Sequence, residues 1–385
     1  MTKYFALDII TAADLTTTSG LSDRSFGCIY IENSKGRRRK EMRRFAFIVH
    51  LRSLDDIAHV LPLPNVLVTK ILRRPILWIL SHLRGRWGFM IRSKFSVNKE
   101  VEGHIIVIWL TGSQITSGQS FVKKRILETV LYAQDELKCD VIGLGALTAS
   151  VTNAGQWLIE QPGIRSLITH GDSYAVNLVL EGISEITNRK AISLLHSVVA
   201  IVGATGIIGE ALSRALSSRT GELILVGRRI DKLKEIQTVI QQGNRNITTD
   251  VGEVARADIV ITATSSPDAL ISAKHLKKGA IVYEVAQPRN VNNRVVLERP
   301  DVLVVDGAYA KVPKSIKFWW MSLPPQCTFG CMAETILIAM NSSLESHRVG
   351  RIDLGFVKTI GELGQKYGFG HAEFTSFNRK IKLKD

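Results

Sequence analysis

The sequence is poor in the features that mark secreted, membrane-spanning and zinc-binding proteins. Only 4 cysteines occur in 385 residues, too few for a disulfide framework, and Cys327 with Cys331 supplies only half of a plausible zinc spacing. No segment reaches 18 apolar residues without a charge, which argues against a spanning helix. The N-terminus lacks the basic start, apolar core and small-residue cleavage site of a secretory signal. We therefore expect a cytoplasmic protein and assign no metal ligands.

Positive charge is concentrated at the start of the chain. The formal net charge is +15, and residues 1–100 hold 18 Lys and Arg against 8 Asp and Glu, so +10 of the excess lies there. No recognition helix, zinc finger or aromatic-basic sheet motif accompanies this charge, so we do not expect a nucleic-acid partner. Acidic proteins and anionic lipid surfaces fit a basic face equally well.

The pattern of apolar residues predicts four regions. Residues 1–44 show no clean periodicity and end in a basic run, which indicates an N-terminal extension without a fold of its own. Apolar strands then alternate with amphipathic helices, which is typical of an α/β fold. We predict an α/β substrate domain over 45–190, a doubly wound parallel-sheet Rossmann domain over 191–320, and a C-terminal helical segment over 321–385 that returns to the cleft.

A basic segment that contains two tryptophans lies inside the first α/β region. Residues 66–92 alternate apolar groups with Lys and Arg and include Trp78 and Trp87. Pro75 would break one long helix, so two shorter pieces are expected. The segment either packs one helix face on a core, with its arginines in water, or forms a peripheral membrane or acyl-chain entry surface.

A glycine-rich turn organises the middle of the chain. A β-branched run, 198–202, is followed at once by three glycines and then by helix formers, which predicts strand, tight turn and helix. The first glycine permits the turn, the second admits a pyrophosphate, and the third lets the helix pack on the strand. Phosphates would sit on the free N–H groups of the helix N-terminus. The predicted cofactor-binding residues of this loop are Gly203, Ala204, Thr205, Gly206, Ile207, Ile208 and Gly209.

The second strand of this region ends in Gly227, Arg228 and Arg229. An acidic residue there would bind the 2′-hydroxyl of NAD, whereas guanidinium groups suit the 2′-phosphate of NADP. We therefore predict NADPH, with surface charge as the alternative role for the arginines. Thr264 and Ser265 leave the fourth strand at its carboxyl end, where they either flank the nicotinamide or form an ordinary turn.

Cys331 is the candidate nucleophile. Prolines precede it and 332–340 has a helical pattern, which puts the thiol at or just before a helix N-terminus. The helix dipole and free N–H groups there are expected to lower the thiol pKa. A buried structural cysteine is the alternative.

Several motifs, in one order, resemble the long-chain acyl-acyl-carrier-protein reductases of cyanobacteria. They are Ile142-Gly-Leu-Gly-Ala-Leu-Thr148, Thr169-His-Gly-Asp-Ser-Tyr174, Val202-Gly-Ala-Thr-Gly-Ile-Ile-Gly209, Phe329-Gly-Cys-Met-Ala-Glu334 and Ile360 to Phe369. The resemblance covers roughly 45–375. The basic extension, 284–290 and 311–320 depart from the family pattern.

The resemblance implies a reductase that takes a fatty acyl group from a thioester onto Cys331 and reduces it with NADPH to an aldehyde. The acyl donor would be an acidic acyl carrier protein, or acyl-CoA, and an aldehyde-consuming enzyme would be a further partner. His170 is the candidate hydrogen-bond donor to the developing alkoxide. Glu334, one turn beyond Cys331, either points toward the site or is solvated.

Three other functions stay open. A shikimate-type dehydrogenase joins similar domains but usually needs a Lys-Asp pair, which we cannot place. A semialdehyde dehydrogenase pairs Gly-Ala-Thr-Gly with a cysteine, but its glycine motif is N-terminal. A non-catalytic dinucleotide-binding protein at a membrane surface would use residues 35–92.

Overall fold

A computed structural model describes residues 42–51, 54–60, 66–117, 120–240, 243–266, 270–286, 289–316 and 323–383. Most of the predicted extension, 1–41, lies outside the described residues. Arg43 and Arg44, which we assigned to the extension, already belong to the first strand. This strand therefore begins earlier than predicted.

The first sheet contains five strands. They are β1 (Arg43–Leu51), β2 (Phe89–Ser96), β3 (Val101–Thr111), β4 (Val141–Leu144) and β5 (Leu167–Thr169). Their order is β2-β3-β1-β4-β5, with β2 antiparallel to its neighbour and the other pairs parallel. Phe45 and Phe47 enter one apolar core, and Ala46 and Ile48 enter the core on the opposite face. This alternation is what a strand covered on both faces requires.

Short helices surround the first sheet. They are α1 (Leu54–Val60), α2 (Arg73–His82), α3 (Gly112–Ile115), α4 (Ser120–Asp135), α5 (Leu147–Val151) and α6 (Gln156–Ile159), with a π-helical turn at Leu67–Ile71. The predicted division of 66–92 into two helical pieces is confirmed, although it falls at Leu72. Pro75 lies in the first turn of α2, where its missing N–H removes no helical hydrogen bond. The strand β2 was not predicted.

One long helix, α7 (Asp172–Arg189), joins the two halves of the fold. Tyr174 and Leu178, near its start, pack in a core of the first sheet. Val179 and Ile183, further along, pack in the core under the second sheet. Thr169 to Gly171, which directly precede this helix, therefore lie where the two halves of the fold meet.

The second sheet is a six-stranded parallel Rossmann sheet, as predicted. Its strands are β6 (Val198–Val202), β7 (Glu222–Val226), β8 (Asn244–Thr248), β9 (Ile259–Thr262), β10 (Ile281–Glu284) and β11 (Leu303–Asp306). Their order is β11-β10-β9-β6-β7-β8. The order reverses beside β6, and ligands of such sheets bind in the crevice at that point, outside the carboxyl ends of the strands. The helices are α8 (Ile207–Leu216), α9 (Ile230–Val239) and α10 (Val295–Glu298).

The C-terminal region mixes strands and helices. It comprises β12 (Tyr309–Lys311), β13 (Cys327–Phe329), α11 (Gly330–Met340), α12 (Leu354–Lys366), β14 (Gly370–His371), β15 (Thr375–Ser376) and β16 (Arg379–Lys380). Helix α11 returns to the first sheet, where Met332 and Ile336 share a core with Phe47. Isolated 3-10 turns lie at Gly85–Gly88, Leu194–His196, Val251–Arg256 and Ala273–His275. No helix among the described residues has both the length and the apolar character needed to cross a bilayer.

Candidate functional site

Cys331 is the second residue of α11, so its predicted position at a helix N-terminus is confirmed. Strand β13, just before it, pairs antiparallel with β12, which follows the last strand of the Rossmann sheet. The backbone N–H of Gly330 donates to the carbonyl of Ala308, 2.9 Å away, and Ala308 is two residues beyond β11. The thiol therefore lies on the side of the Rossmann sheet where the strands end, which is the ligand-binding side.

A tight turn made of His170, Gly171 and Asp172 lies directly against Cys331. Gly171 has φ +77, in the left-handed region, and a Cβ built on it would lie 2.5 Å from the Cα of Cys331. Only glycine fits such a backbone conformation with a neighbouring backbone so close. The absence of a side chain at Gly171 thus lets the turn that carries His170 and Asp172 pack against the backbone of Cys331.

His170 is buried and neutral. Burial lowers its pKa to about 4, because the imidazolium loses its hydration. The backbone N–H of Asp172 donates to Nδ1 of His170 at 2.9 Å. Since Nδ1 accepts a hydrogen bond in the neutral ring, the proton is assigned to Nε2. His170 can therefore donate a hydrogen bond at neutral pH, as its predicted role requires.

Glu334 is a fully buried carboxyl, which contradicts the solvated alternative. Its Oε1 accepts from the hydroxyl of Thr169 at 2.6 Å and its Oε2 accepts from the backbone N–H of Tyr174 at 2.8 Å. Burial raises its pKa. Glu334 thus links the first turns of α11 and α7 by hydrogen bonds across the site. Loss of one of these bonds would leave a buried polar group without a partner, which destabilises the fold.

The predicted low pKa of the Cys331 thiol is wrong. Burial disfavours the thiolate and, with the nearby Asp172 carboxylate, raises the pKa to about 12. The backbone N–H of Met332 acts in the opposite direction but is outweighed. Burial, and secondarily Glu334, raises the pKa of Asp172 itself to about 8. The thiol is therefore protonated at neutral pH and needs a base to become a nucleophile.

The thiol pKa predicts how alkylation of Cys331 depends on pH. Only the thiolate reacts, and well below a pKa of about 12 its fraction rises about tenfold per pH unit. We expect the iodoacetamide rate at Cys331, followed by peptide mass analysis, to climb through pH 7–10 without a plateau. A rate that stops rising near pH 7 would show that the pKa of the Cys331 thiol is low, as predicted from the sequence, and that burial does not raise it. Cys327 is half-buried, as Cys331 is, and burial also raises the pKa of its thiol, so it serves as the internal comparison.

The glycine loop has the geometry of a phosphate cradle. Gly203 has φ +92, and a Cβ on Gly209 would lie 2.2 Å from the carbonyl oxygen of Gly203. The predicted turn and close helix packing are therefore both present. Gly206 caps α8 without a side-chain hydrogen bond, which leaves first-turn N–H groups available to an anion. A cleft of about 340 Å³ opens at Thr205, Gly206 and Ile207 and is closed on its other side by residues that include Gln156 and Gly350.

The remaining predicted cofactor residues border this loop. Arg228 and Arg229 are exposed just beyond β7, and within the described part of the chain neither joins an ion pair. A Cβ on Gly203 would meet Cβ of Thr264 at 2.9 Å, so Thr264 lies on the loop. Its hydroxyl accepts from the N–H of Ser266 at 2.9 Å, which fits the turn alternative. Ser265 is exposed.

A short segment, 348–351, connects the cysteine site with the dinucleotide loop, and sequence reasoning missed it. The N–H of His170 donates to the carbonyl of Arg348 at 3.0 Å. Three residues later Arg351 donates to Glu210, in the first turn of α8, at 2.6 Å. Three residues span at most about 11 Å. The His170 turn and the N-terminal end of α8 are therefore neighbours across the cleft.

Comparison with known proteins agrees with the Rossmann assignment. Residues 185–307 match the family model described as Shikimate / quinate 5-dehydrogenase. The chain is 29% identical over 250 residues to "Aminotransferase PigE" of Serratia sp., covering 63% of the chain and 29% of that protein. It is 24% identical over 261 residues to the "Long-chain acyl-(acyl-carrier-protein) reductase" of Synechococcus elongatus, covering 64% of the chain and 75% of that protein. The chain thus spans less than a third of PigE but most of the cyanobacterial reductase.

Among solved structures, the glutamyl-tRNA reductase of Methanopyrus kandleri is similar at 22% identity, with a TM-score of 0.28 over 49% of this chain and 47% of that one. No three His, Cys, Asp or Glu side chains of the described residues lie together as a metal site would require. The geometry of the glycine loop and the match to the family model support the same conclusion. Residues 185–307 form a nucleotide-binding Rossmann domain of the kind found in NAD(P)-dependent oxidoreductases.

Proposed function

We propose that this protein is an NADPH-dependent reductase that converts a long-chain fatty acyl thioester to a fatty aldehyde through an acyl group held on Cys331. The observation that carries the proposal is the position of Cys331. Its helix starts beside the carboxyl end of the Rossmann sheet, and the turn that carries His170 and Asp172 packs against its first residues. The similarity to the cyanobacterial acyl-acyl-carrier-protein reductase over 64% of the chain supports the same chemistry.

The strand order of the Rossmann sheet supports this placement. The glycine loop after β6 and the arginines after β7 would hold the adenosine half of a dinucleotide. The ends of β9 and β10, on the side where the chain passes from β11 toward Cys331, would then be left for the nicotinamide half. When bound there, the nicotinamide supplies hydride to an acyl carbon held on the sulfur.

The acyl-transfer step needs a nucleophile and a base. The sulfur of Cys331 attacks the thioester carbonyl carbon while its proton passes to Asp172 in its carboxylate form. Burial raises the pKa of Asp172 to about 8, so a minority of it is ionised at pH 7, and that carboxylate is a stronger base than an ordinary aspartate. The bond to the donor sulfur then breaks, and the donor leaves as a thiol with that proton. The acyl group remains as a new thioester on Cys331.

The reduction step places negative charge on the former carbonyl oxygen. The Nε2–H of His170 is the donor for this oxygen, because the ring is neutral and its Nδ1 is already occupied by the Asp172 N–H. Collapse of the thiohemiacetal breaks the carbon–sulfur bond, which releases the aldehyde and restores the Cys331 thiol. Glu334 and Gly171 position these groups without touching the substrate.

The donor and the partners follow from charge. The negative charge of an acidic acyl carrier protein would steer it to a basic surface of this protein. Acyl-CoA would be attracted to that surface only through its phosphates. The reactive aldehyde calls for an enzyme that consumes it. Nucleic acid plays no part in this function.

Arg228 and Arg229 predict a preference for NADPH over NADH. Both guanidiniums are exposed beyond β7, where a 2′-phosphate would lie. We expect replacement of both by alanine to raise the Kd of NADPH about 30-fold, since each charge-assisted contact contributes about 1 kcal/mol, and to leave the Kd of NADH nearly unchanged. Fluorescence titration of each cofactor measures this. Replacement of both Lys234 and Lys278, which are exposed, by alanine removes the same two charges and is the charge-matched control. An equal loss for both cofactors would remove the 2′-phosphate role.

The decisive test is incubation of the full chain with NADPH and a panel of acyl-carrier-protein and acyl-CoA thioesters. Mass analysis would look for aldehyde and for an acyl adduct on the peptide that contains Cys331. Both are expected. NADPH binding without aldehyde or adduct from any thioester would defeat the proposal.

A shikimate-type reduction is the second candidate, because the family model of that name matches 185–307. It predicts reduction of a ring ketone without any covalent intermediate. Including 3-dehydroshikimate in the same assay separates the two candidates. Consumption of NADPH with this ketone, with Cys331 unmodified, would favour the second.

A further inference from the structure

Helix α2 has two apolar faces, and only one of them is covered. Ile76, Leu77 and Leu80 face inward and pack in a cluster with Leu51 and Val68. Pro75, Trp78, Ile79 and His82 are spaced three, four and seven residues apart, which places them on one stripe of the helix. This stripe faces solvent, with Trp78 62% and Ile79 50% exposed.

Further exposed hydrophobic residues flank the stripe in the sequence. Of the thirteen large hydrophobic side chains exposed among the described residues, six lie within 66–87. We call them the α2 surface: Val66, Ile71, Leu72, Trp78, Ile79 and Trp87. Clustering of this kind marks an interaction site, whereas exposed apolar residues scattered singly are normal.

Basic residues predominate around the α2 surface, where the carboxylate of Glu128 accepts from the backbone N–H of Gly85 at 3.2 Å. Residues 66–92 contain six Lys and Arg and no Asp or Glu. Lys70, Arg73, Arg74 and Arg84 are exposed. Exposed tryptophans bordered by basic residues on a helix suit the interface of a bilayer, where the rings sit at headgroup level and the cations meet anionic lipids.

A buried arginine fixes the chain segment that follows α2. Arg125 is almost fully buried, and its guanidinium donates to the carbonyls of Gly88, at 3.2 Å, and of Leu83. A Cβ on Gly88 would lie 2.4 Å from Cδ of Arg125. The chain that follows α2 is thus fixed by a buried cation, so the apolar stripe is presented by the fold itself.

We propose that the α2 surface docks on an anionic lipid bilayer, with α2 lying in the plane of the interface, its tryptophans among the headgroups and its arginines on lipid phosphates. A protein partner would need apolar contacts and acidic residues in matching positions, whereas a bilayer supplies both without a defined register. Membrane binding is a property separate from the proposed reductase activity. Its test measures binding to vesicles and does not depend on enzymatic turnover.

The test is co-sedimentation of the full chain with vesicles of phosphatidylcholine alone or with about 30% phosphatidylglycerol. We expect at least about tenfold stronger partitioning to the anionic vesicles at low salt, weakened by added salt. The double variant Trp78→Glu with Ile79→Glu should lose about tenfold or more of this partitioning. Leu195→Glu with Leu297→Glu, at exposed apolar positions outside the α2 surface, should lose little.

A second pair of variants isolates the charge. Arg73→Glu with Arg74→Glu should weaken partitioning at least about 25-fold, since each of the two basic residues near an anionic surface contributes about fivefold. Lys278→Glu with Lys314→Glu makes the same change of charge at other exposed positions and should have a small effect. The basic run 35–44 is present in every variant, so differences between them report the α2 surface alone.

Equal partitioning of the α2-surface variants and their controls would overturn the proposal. Failure of the unmodified chain to partition would overturn it too. If sedimentation velocity or a pull-down with an acidic carrier protein then showed self-association or complex formation through Trp78 and Ile79, the α2 surface would be a protein interface instead.

Discussion

Replacing Cys331 by alanine is expected to abolish aldehyde formation while leaving NADPH binding intact. The thiol is the only proposed carrier of the acyl group, so its loss removes the covalent route altogether. We expect aldehyde production from an acyl thioester to fall by at least about a thousandfold, as when a covalent nucleophile is removed. The Kd of NADPH should change less than about twofold, because the glycine loop and α8 make no use of the sulfur.

A neighbouring cysteine provides the control for this substitution. Cys327 lies on β13, four residues before Cys331, and both cysteines are half-buried. The Cys327→Ala variant should keep its activity and its acyl adduct at Cys331. Retained turnover in Cys331→Ala would eliminate the acyl-cysteine mechanism. Loss of NADPH binding in Cys331→Ala would show that the substitution disturbs the fold, and a Cys331→Ser variant would then separate chemistry from structure.

The Rossmann sheet could be predicted from the sequence because its signals are local. Val198 to Val202 is an apolar run in which all residues but Ala200 are β-branched, which favours a buried strand, and the glycine spacing that follows specifies the turn and the helix. The same holds for Cys331, since prolines before it and a helical pattern after it fix its place near the start of α11. Such features need no knowledge of distant residues.

The chemistry around Cys331 could not be predicted in the same way. The helix N-terminus, which lowers a thiol pKa, is visible in the sequence. Burial and the Asp172 carboxylate, which raise the pKa to about 12, depend on a turn about 160 residues earlier in the chain. The helix N-terminus does act to lower the thiol pKa, as predicted, but the tertiary contacts raise it by more.

Some missed features had a signal that could have been used. Glu334 is the one charged residue in the otherwise apolar run 332–340. A carboxyl in a helix that is apolar on every side must be buried and hydrogen-bonded. By contrast, the 348–351 connection between His170 and α8 has no periodicity or motif that would identify it. The small sheet of β12, β13 and β14 was missed because strands this short carry too little pattern.

Replacing Gly171 by alanine should damage both the fold and the site, and the chain offers a matched control. Gly171 and Gly163 both have left-handed backbones, with φ +77 and +87, so alanine at either position costs about 1–2 kcal/mol of conformational strain. A Cβ at Gly163 would meet only a leucine methyl group at 3.9 Å, whereas at Gly171 it would lie 2.5 Å from the Cα of Cys331. Backbone cannot yield as a side-chain end does, so overpacking adds about 1–3 kcal/mol there.

We therefore expect denaturant unfolding to give a free energy of unfolding about 2–5 kcal/mol lower for Gly171→Ala, against about 1–2 kcal/mol for Gly163→Ala. Relief of the clash also moves Asp172 away from Cys331. Since that carboxylate helps to raise the thiol pKa, alkylation of Cys331 should become faster at a given pH in Gly171→Ala and stay unchanged in Gly163→Ala. Equal losses of stability, with equal alkylation rates, would mean that the turn does not lie against the thiol. The base and the hydrogen-bond donor of the proposed mechanism would then have no fixed position beside the sulfur.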